Sequence, residues 1–141
     1  FTIIDEDDQK KILTSIIQRA NLTKQCNPRH VAYAISSAKN NSNSFIIGPD
    51  DFNHPLMFEL YTAYEEEKKI MRCLDFDDLL LTTVHLFARN HAFKQRFQQS
   101  IKHIMVDEYQ DTNKAQHALL KHCALTDTDL AIDSLCIVGD E

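Results

Sequence analysis

The chemistry this chain could do is concentrated where Ile104-Met105-Val106 lead straight into Asp107-Glu108, followed by Tyr109-Gln110-Asp111-Thr112-Asn113. An apolar run ending in adjacent carboxylates reads as a strand buried on both faces. Open α/β sheets take their ligands at the carboxyl ends of such strands. Successive strand residues face opposite sides, but the pleat loosens at a strand end, so two neighbouring acids serve one site there in different roles. In phosphoryl transfer one such carboxylate holds Mg²⁺, through water because Mg²⁺ dehydrates reluctantly, and a second positions or deprotonates the attacking water. Asp107 fits the metal role and Glu108 the water role. As a dipeptide alone, Asp-Glu after a strand is more often the solvated start of a loop, so the residues around it decide.

The elements that must position this pair are legible from periodicity. Ile101 to Val106 supplies the strand. Thr112 is placed to cap a helix with Ala115, Ala118, Leu119 and Cys123 on its apolar face, and Leu135 to Val138 is a second strand. Strand, helix and strand within about 40 residues make a βαβ unit, expected to be parallel with a right-handed crossover.

Upstream the pattern is helical. Asp5 is an N-cap with Asp8 three positions on, before Ile12, Leu13, Ile16, Ile17 and Ala20. Pro28 opens a second helix with Val31, Ala32, Ile35 and Ala38 on one face. Asn40 to Ser44 reads as a loop and Gly48-Pro49-Asp50 as a turn. A longer helix is expected from about residue 51 or 55 to 72, with Leu56, Leu60, Ala63 and Tyr64 inward and Glu65, Glu66, Glu67, Lys68 and Lys69 outward as a solvated face. Asp75 caps the next helix, whose buried stripe is Phe76, Leu79, Leu80, Val84 and Phe87. Asp75, Asp77 and Asp78 complement that helix's macrodipole and need no metal. A short helix, about His91 to Gln99, leads into the acid-tipped strand. Two regions result: a helical one, residues 1–74, then residues 75–141, return helices and part of an α/β core.

With 141 residues, 43% apolar and 26% charged, the composition is that of an ordinary globular domain. No apolar stretch approaches the ~18 residues of a membrane helix, so a soluble, cytoplasmic protein is expected. Cys26, Cys73, Cys123 and Cys136 form no C-x-x-C pair and read as free thiols. The seven histidines fall in no ligand spacing such as H-E-x-x-H, so a histidine metal site is not expected.

The net charge of −6 argues against nucleic-acid binding only as a single number. From Gln9 to Pro49 there is no acid, while Lys10, Lys11, Arg19, Lys24, Arg29 and Lys39 are all basic; Leu79 to Val106 repeats the pattern with Arg89, Lys94, Arg96 and Lys102. Segregation of this kind builds local phosphate-attracting patches on an acidic protein. A solvated helix face explains the same residues equally well. Tyr33, Phe45 and Phe52 are possible base-stacking contacts, although core packing is the favoured role for each.

Val106 to Asn113, Val-Asp-Glu-Tyr-Gln-Asp-Thr-Asn, together with Gln116, resembles the Walker B motif of superfamily 1 DNA helicases of the UvrD, PcrA and Rep group. Phe1-Thr2-Ile3-Ile4-Asp5 with Asp8-Gln9, Leu74-Asp75-Phe76-Asp77-Asp78-Leu79-Leu80, and Ile137-Val138-Gly139-Asp140 are similar to segments of the same group in the same order, the last being the start of motif III. The resemblance covers essentially the whole chain and is least at Leu22 to Pro55.

The resemblance implies a mainly α fold with a small α/β part: a helical insert subdomain beside the DNA, then a partial parallel-sheet RecA-like core of the P-loop NTPase type. It implies that Asp107 coordinates Mg²⁺, Glu108 activates water, Gln110 and Asp111 couple the nucleotide state to neighbouring motifs, and Asp140 opens motif III. The parent would be an ATP-dependent helicase moving 3′ to 5′ on single-stranded DNA, acting on single-stranded and junction DNA in repair or replication, and associated with the nucleoid. With Gly48 and Gly139 as the sole glycines, no G-x-x-x-x-G-K-[ST] loop exists in this chain. It is therefore expected to be a fragment that binds no cofactor tightly and does not hydrolyse ATP by itself, while the intact protein uses Mg²⁺ and ATP. Three alternatives remain open: a subunit of an AddA- or RecB-type helicase-nuclease, a DNA-contacting module without catalysis, or a bare structural domain.

Overall fold

The computed structural model describes residues 1–42 and 46–140. Phe45 and the end of the expected Asn40–Ser44 loop lie outside the described residues. The chain forms two compact units, Phe1–Leu79 and Leu80 onward.

The first unit is helical. A two-residue strand β1 (Thr2–Ile3) leads to α1 (Glu6–Arg19), which Asp5 caps by accepting the Asp8 N–H at 2.9 Å. α2 (Pro28–Asn41) starts as expected at Pro28, capped by Asn27, and runs further than periodicity suggested, taking in Asn40 and Asn41. After a 3₁₀ turn, Pro49–Asp51, comes α3 (Pro55–Met71). Arg72 ends α3 with φ 53° and returns the chain into β2 (Cys73–Leu74), which pairs with β1 in parallel. The core lies among these elements: Ile12, Leu13, Ile16 and Ile17 from α1, Val31 and Ile35 from α2, Leu60 and Tyr64 from α3, with Ile4, Cys26 and Cys73. Each such aliphatic side chain, once fully buried, contributes about 1.5–3 kcal/mol.

The boundary between units falls inside α4 (Phe76–Arg89), whose later residues Val84 and Phe87 are buried in the second unit. There Phe87 packs on Phe93 and Phe97 of α5 (His91–Ser100). Gln98, also buried, donates to the carbonyls of His122 and Leu125 and so ties α5 to the end of α6 (Lys114–Ala124). Strands β3 (His103–Val106) and β4 (Ser134–Ile137) flank α6 in sequence and pair in parallel, Val106 opposite Ile137. This is the βαβ unit that the periodicity predicts.

Four expectations need correction. Phe76, expected in the buried stripe of α4, is 60% exposed. The cap of α6 is Asn113, not Thr112: Asn113 accepts the Gln116 N–H at 2.8 Å while Gln116 accepts the Asn113 N–H at 3.1 Å, and Thr112 ends the preceding 3₁₀ turn. The strand expected to be buried on both faces is open, with Met105 86% exposed, because a two-stranded sheet cannot cover alternate side chains. The charged run of α3 is not wholly solvated either, since Lys68 is buried.

Candidate functional site

Asp107 and Glu108 follow β3 directly, and both are exposed. Asp107 bends back to accept the Glu108 N–H through Oδ1 at 2.9 Å. Glu108 stands in the left-handed region, φ 51° and ψ 42°. Among the described residues Asn21 and Arg72 share that conformation, and both close helices. For a residue with a Cβ the conformation costs about 1–2 kcal/mol, and it persists where neighbours over-determine it.

The neighbours are the 3₁₀ turn Tyr109–Asp111. Asp111 donates its N–H to Glu108 O at 3.0 Å, and Tyr109 donates its own to Val138 O at 3.1 Å. Gln110 works in two directions: its Nε2 donates to the Glu108 carboxylate and its Oε1 accepts the Asp140 N–H at 3.0 Å. The end of β3 is thereby linked to the segment after β4 through one amide side chain. Gly139 makes room for it, since a Cβ there would lie 2.6 Å from Gln110 Oε1 and 3.3 Å from Tyr109 N. Tyr109 Oη meets His117 Nδ1 of α6 at 2.7 Å. The family resemblance flagged Gln110 and Asp140 but gave no part to Gly139 or His117, whose contacts depend on close approach in space.

An exposed carboxylate at a strand end, with one oxygen committed to a backbone N–H, is a hard, single-point oxygen donor. It fits Mg²⁺, which takes one or two carboxylates and otherwise keeps water. The Glu108 carboxylate is oriented separately, accepting from Gln110 Nε2.

A second polar cluster lies in the first unit. Lys39 on α2 and Lys68 on α3, each 2% exposed, both reach Asp75 and Asp78 at the start of α4. Lys39 is 2.8 Å from Glu65 and Lys68 is 2.9 Å from it. Tyr64 Oη donates to Asp75 at 3.0 Å. Asp75 and Asp78 also cap each other's backbone, each accepting the other's N–H at 2.9 Å. Glu65, Asp75 and Asp78 have the carboxylate spacing of a metal cage, but the two ammoniums supply the cationic charge at its centre. Burial penalises the Asp75 charge, yet Lys39 and Lys68 outweigh it and hold the carboxyl well below its usual range. Burial likewise opposes the Lys39 charge, and Asp75, Glu65 and Asp78 overcome it, raising its pKa.

Lys39 therefore leaves the set of basic residues expected on a phosphate-attracting surface. It is sequestered as the partner of three carboxylates, which removes it from solvent. Of the others, Lys11 pairs with Asp8 and Arg19 with Glu67, while Lys10, Lys24 and Arg29 are exposed. Lys10 and Arg29 line one cleft of about 490 Å³ that also contains Tyr33 and Asp7. Of the residues expected to pack in the core rather than stack on bases, Phe52 packs on Phe58 and Tyr61 within the first unit, whereas Tyr33 is 77% exposed. No helix among the described residues is long and apolar enough to cross a membrane.

Comparison with known proteins bears on the whole chain. It is 36% identical over 99% of its length to the ATP-dependent DNA helicase PcrA of Staphylococcus aureus, and 36% identical over 99% to the protein of the same name from Staphylococcus epidermidis. It spans 19% of the length of these relatives. The family model described as the UvrD/REP helicase N-terminal domain matches residues 1–141, and the chain belongs to that family.

Proposed function

We propose that this chain is part of an ATP-dependent DNA helicase that moves 3′ to 5′ on single-stranded DNA and separates duplex, in repair or replication. What supports the reading best is the joint placement of Asp107, Glu108 and Gln110 at the end of β3, with Gln110 bonded to the Asp140 N–H. It has the form of a hydrolytic centre: one carboxylate for a metal, a second oriented for water, and a side chain sensing the next strand. Bound Mg²⁺ would neutralise charge on the β- and γ-phosphates of ATP. Asp107 would hold its hydration shell, Glu108 would take a proton from the attacking water, and Gln110 would carry the state of Glu108 to the Gly139-Asp140 backbone.

Residues 1–74 are read as the helical insert subdomain and residues 75–141 as return helices and part of the motor core. DNA contact is assigned to Lys10, Lys24 and Arg29, with Lys11 and Arg19 contributing less because each already has an acidic partner. The isolated chain lacks a phosphate loop and is expected not to turn over ATP.

The deciding experiment is Glu108→Gln in the full-length protein, with Mg²⁺–ATP and single-stranded DNA. ATP binding is expected to persist while turnover falls by about 10³-fold or more, the scale for losing a group that acts in the transition state. Turnover within tenfold of the parent would refute the assignment. Steady ATP hydrolysis by the purified 141-residue chain would refute its expected inactivity.

A further inference from the structure

We infer that His117 is a positioning residue for hydrolysis, holding the Tyr109 side chain and, through it, the Glu108 carboxylate. The inference rests on the reading of Glu108 as the group that activates water. Tyr109 is the residue on which the turn after the acid pair hangs. Its N–H donates to Val138 O at 3.1 Å, and its carbonyl accepts from the Thr112 N–H at 3.1 Å and from the Thr112 hydroxyl. Its phenol reaches His117 Nδ1 at 2.7 Å, with the two rings 6.1 Å apart and tilted by 57°.

That fourth link differs from the others because it anchors the turn to a helix. His117 lies just past the capping box of α6 and donates its own N–H to Asn113 O at 2.9 Å, so its backbone is fixed by regular helical bonding. Both rings are half-buried, where a hydrogen bond is stronger than at the surface. When the phenol donates, Nδ1 accepts and the neutral imidazole carries its proton on Nε2.

Glu108 immediately precedes Tyr109 and is held in a conformation that glutamate does not favour. Whatever fixes Tyr109 therefore constrains ψ of Glu108 and so the backbone from which its side chain, held by Gln110, projects. Released from α6, the turn can relax, and misplacing a catalytic group by about 1 Å costs up to ~10²-fold in rate. The effect is expected on turnover, since neither Tyr109 nor His117 is a proposed ligand of Mg²⁺ or nucleotide.

The test uses the full-length protein with His117→Phe, His117→Asn, Tyr109→Phe and the Tyr109→Phe/His117→Phe double variant. Turnover of Mg²⁺–ATP is measured at saturating single-stranded DNA to give kcat and KM, alongside thermal unfolding. His117→Phe and Tyr109→Phe should each lower kcat about tenfold or more, leaving KM within about twofold. The double variant should be no slower than the slower single one, because the two side chains act as a unit. His117→Asn, whose Oδ1 replaces the Nδ1 acceptor, should recover most of kcat. Unchanged kcat, additive losses, or a loss expressed in KM overturns the inference. Should His117→Phe fail to fold, Tyr109→Phe and His117→Asn decide the matter, since one removes the bond and the other keeps it without adding an apolar ring. Glu108→Gln is measured in parallel: surviving turnover means the reading of Glu108 has failed, whereas abolished turnover with wild-type kcat in Tyr109→Phe and His117→Phe sinks the positioning role alone.

Discussion

Lys39 and Asp75 form a buried ion pair, Nζ to Oδ2 at 2.9 Å, that joins the end of α2 to the start of α4. Lys68 reaches the same oxygen from α3 at 3.0 Å, so three helices meet on one carboxylate. Replacing Asp75 by Ala would remove the carboxylate that both ammoniums share, leaving Glu65 and Asp78 as their remaining partners. Losing a buried hydrogen bond to a charged group costs about 1.5–3 kcal/mol. Urea unfolding of the first unit should show that loss as a shifted midpoint, and a shift no larger than that of an exposed substitution such as Glu66→Ala would contradict it.

The same cluster sets a pH dependence whose sign follows from the directions of the shifts. Asp75 lies below its unfolded value of about 3.9, so its contribution is complete above that pH and is lost as pH falls toward the depressed folded value. Lys39 lies above its unfolded value of about 10.4, so its contribution is complete below that pH and is lost as pH rises through the folded value. The stability gap between wild type and Asp75→Asn should be level from about pH 5 to 9 and narrow below about pH 4. A gap that stays constant down to about pH 2 would show that Asp75 is not held in this way.

Gly139 allows a close approach of Gln110 and has no unusual backbone angle. Gly139→Ala places a methyl group against Gln110 Oε1, so the amide must shift and its bonds to Glu108 and the Asp140 N–H are expected to weaken. ATP turnover by the full-length protein should fall while unfolding stability changes by only about 1 kcal/mol, the typical cost of one missing hydrogen bond. Wild-type turnover would mean that the Gln110 link does not matter to the chemistry.

The basic residues divide into two kinds that salt should distinguish. Neutralising Lys10, Lys24 and Arg29 is expected to weaken single-stranded DNA binding and flatten its dependence on log salt by about 0.7 for each side chain that had neutralised a phosphate. Lys39→Met is expected to lower stability instead and leave that slope alone, because Lys39 is buried. A slope unchanged by the triple variant would remove these residues from the interface.

Asn113→Ala deletes half of the reciprocal cap of α6. It should destabilise the second unit by about 1 kcal/mol, whereas Thr112→Ala, in the preceding turn, tests the weaker hydroxyl contact to Tyr109. Equal losses in the two would not fit this assignment of the cap.

Much of this protein was legible along the chain because the relevant physics is local. Apolar spacing predicted α1 through Ile12, Leu13, Ile16 and Ile17, Pro28 marked the start of α2, and the runs Ile101 to Val106 and Leu135 to Val138 predicted β3 and its parallel partner. The eight residues from Val106 to Asn113 carried the family before any coordinate was needed. What failed was reading polarity as exposure. Lys39 and Lys68 look like surface residues of amphipathic helices, and they are buried because Asp75 and Asp78 reach them from elsewhere in the chain.

The residue types and order by themselves determined the helices, the βαβ unit and an acid pair at a strand end, since periodicity, capping and adjacent carboxylates are properties of neighbours in sequence. Only the tertiary structure decided which charges are sequestered, why residue 139 is glycine, and that His117 reaches Tyr109. Those outcomes depend on distances between segments that come together on folding, and no local preference encodes such distances.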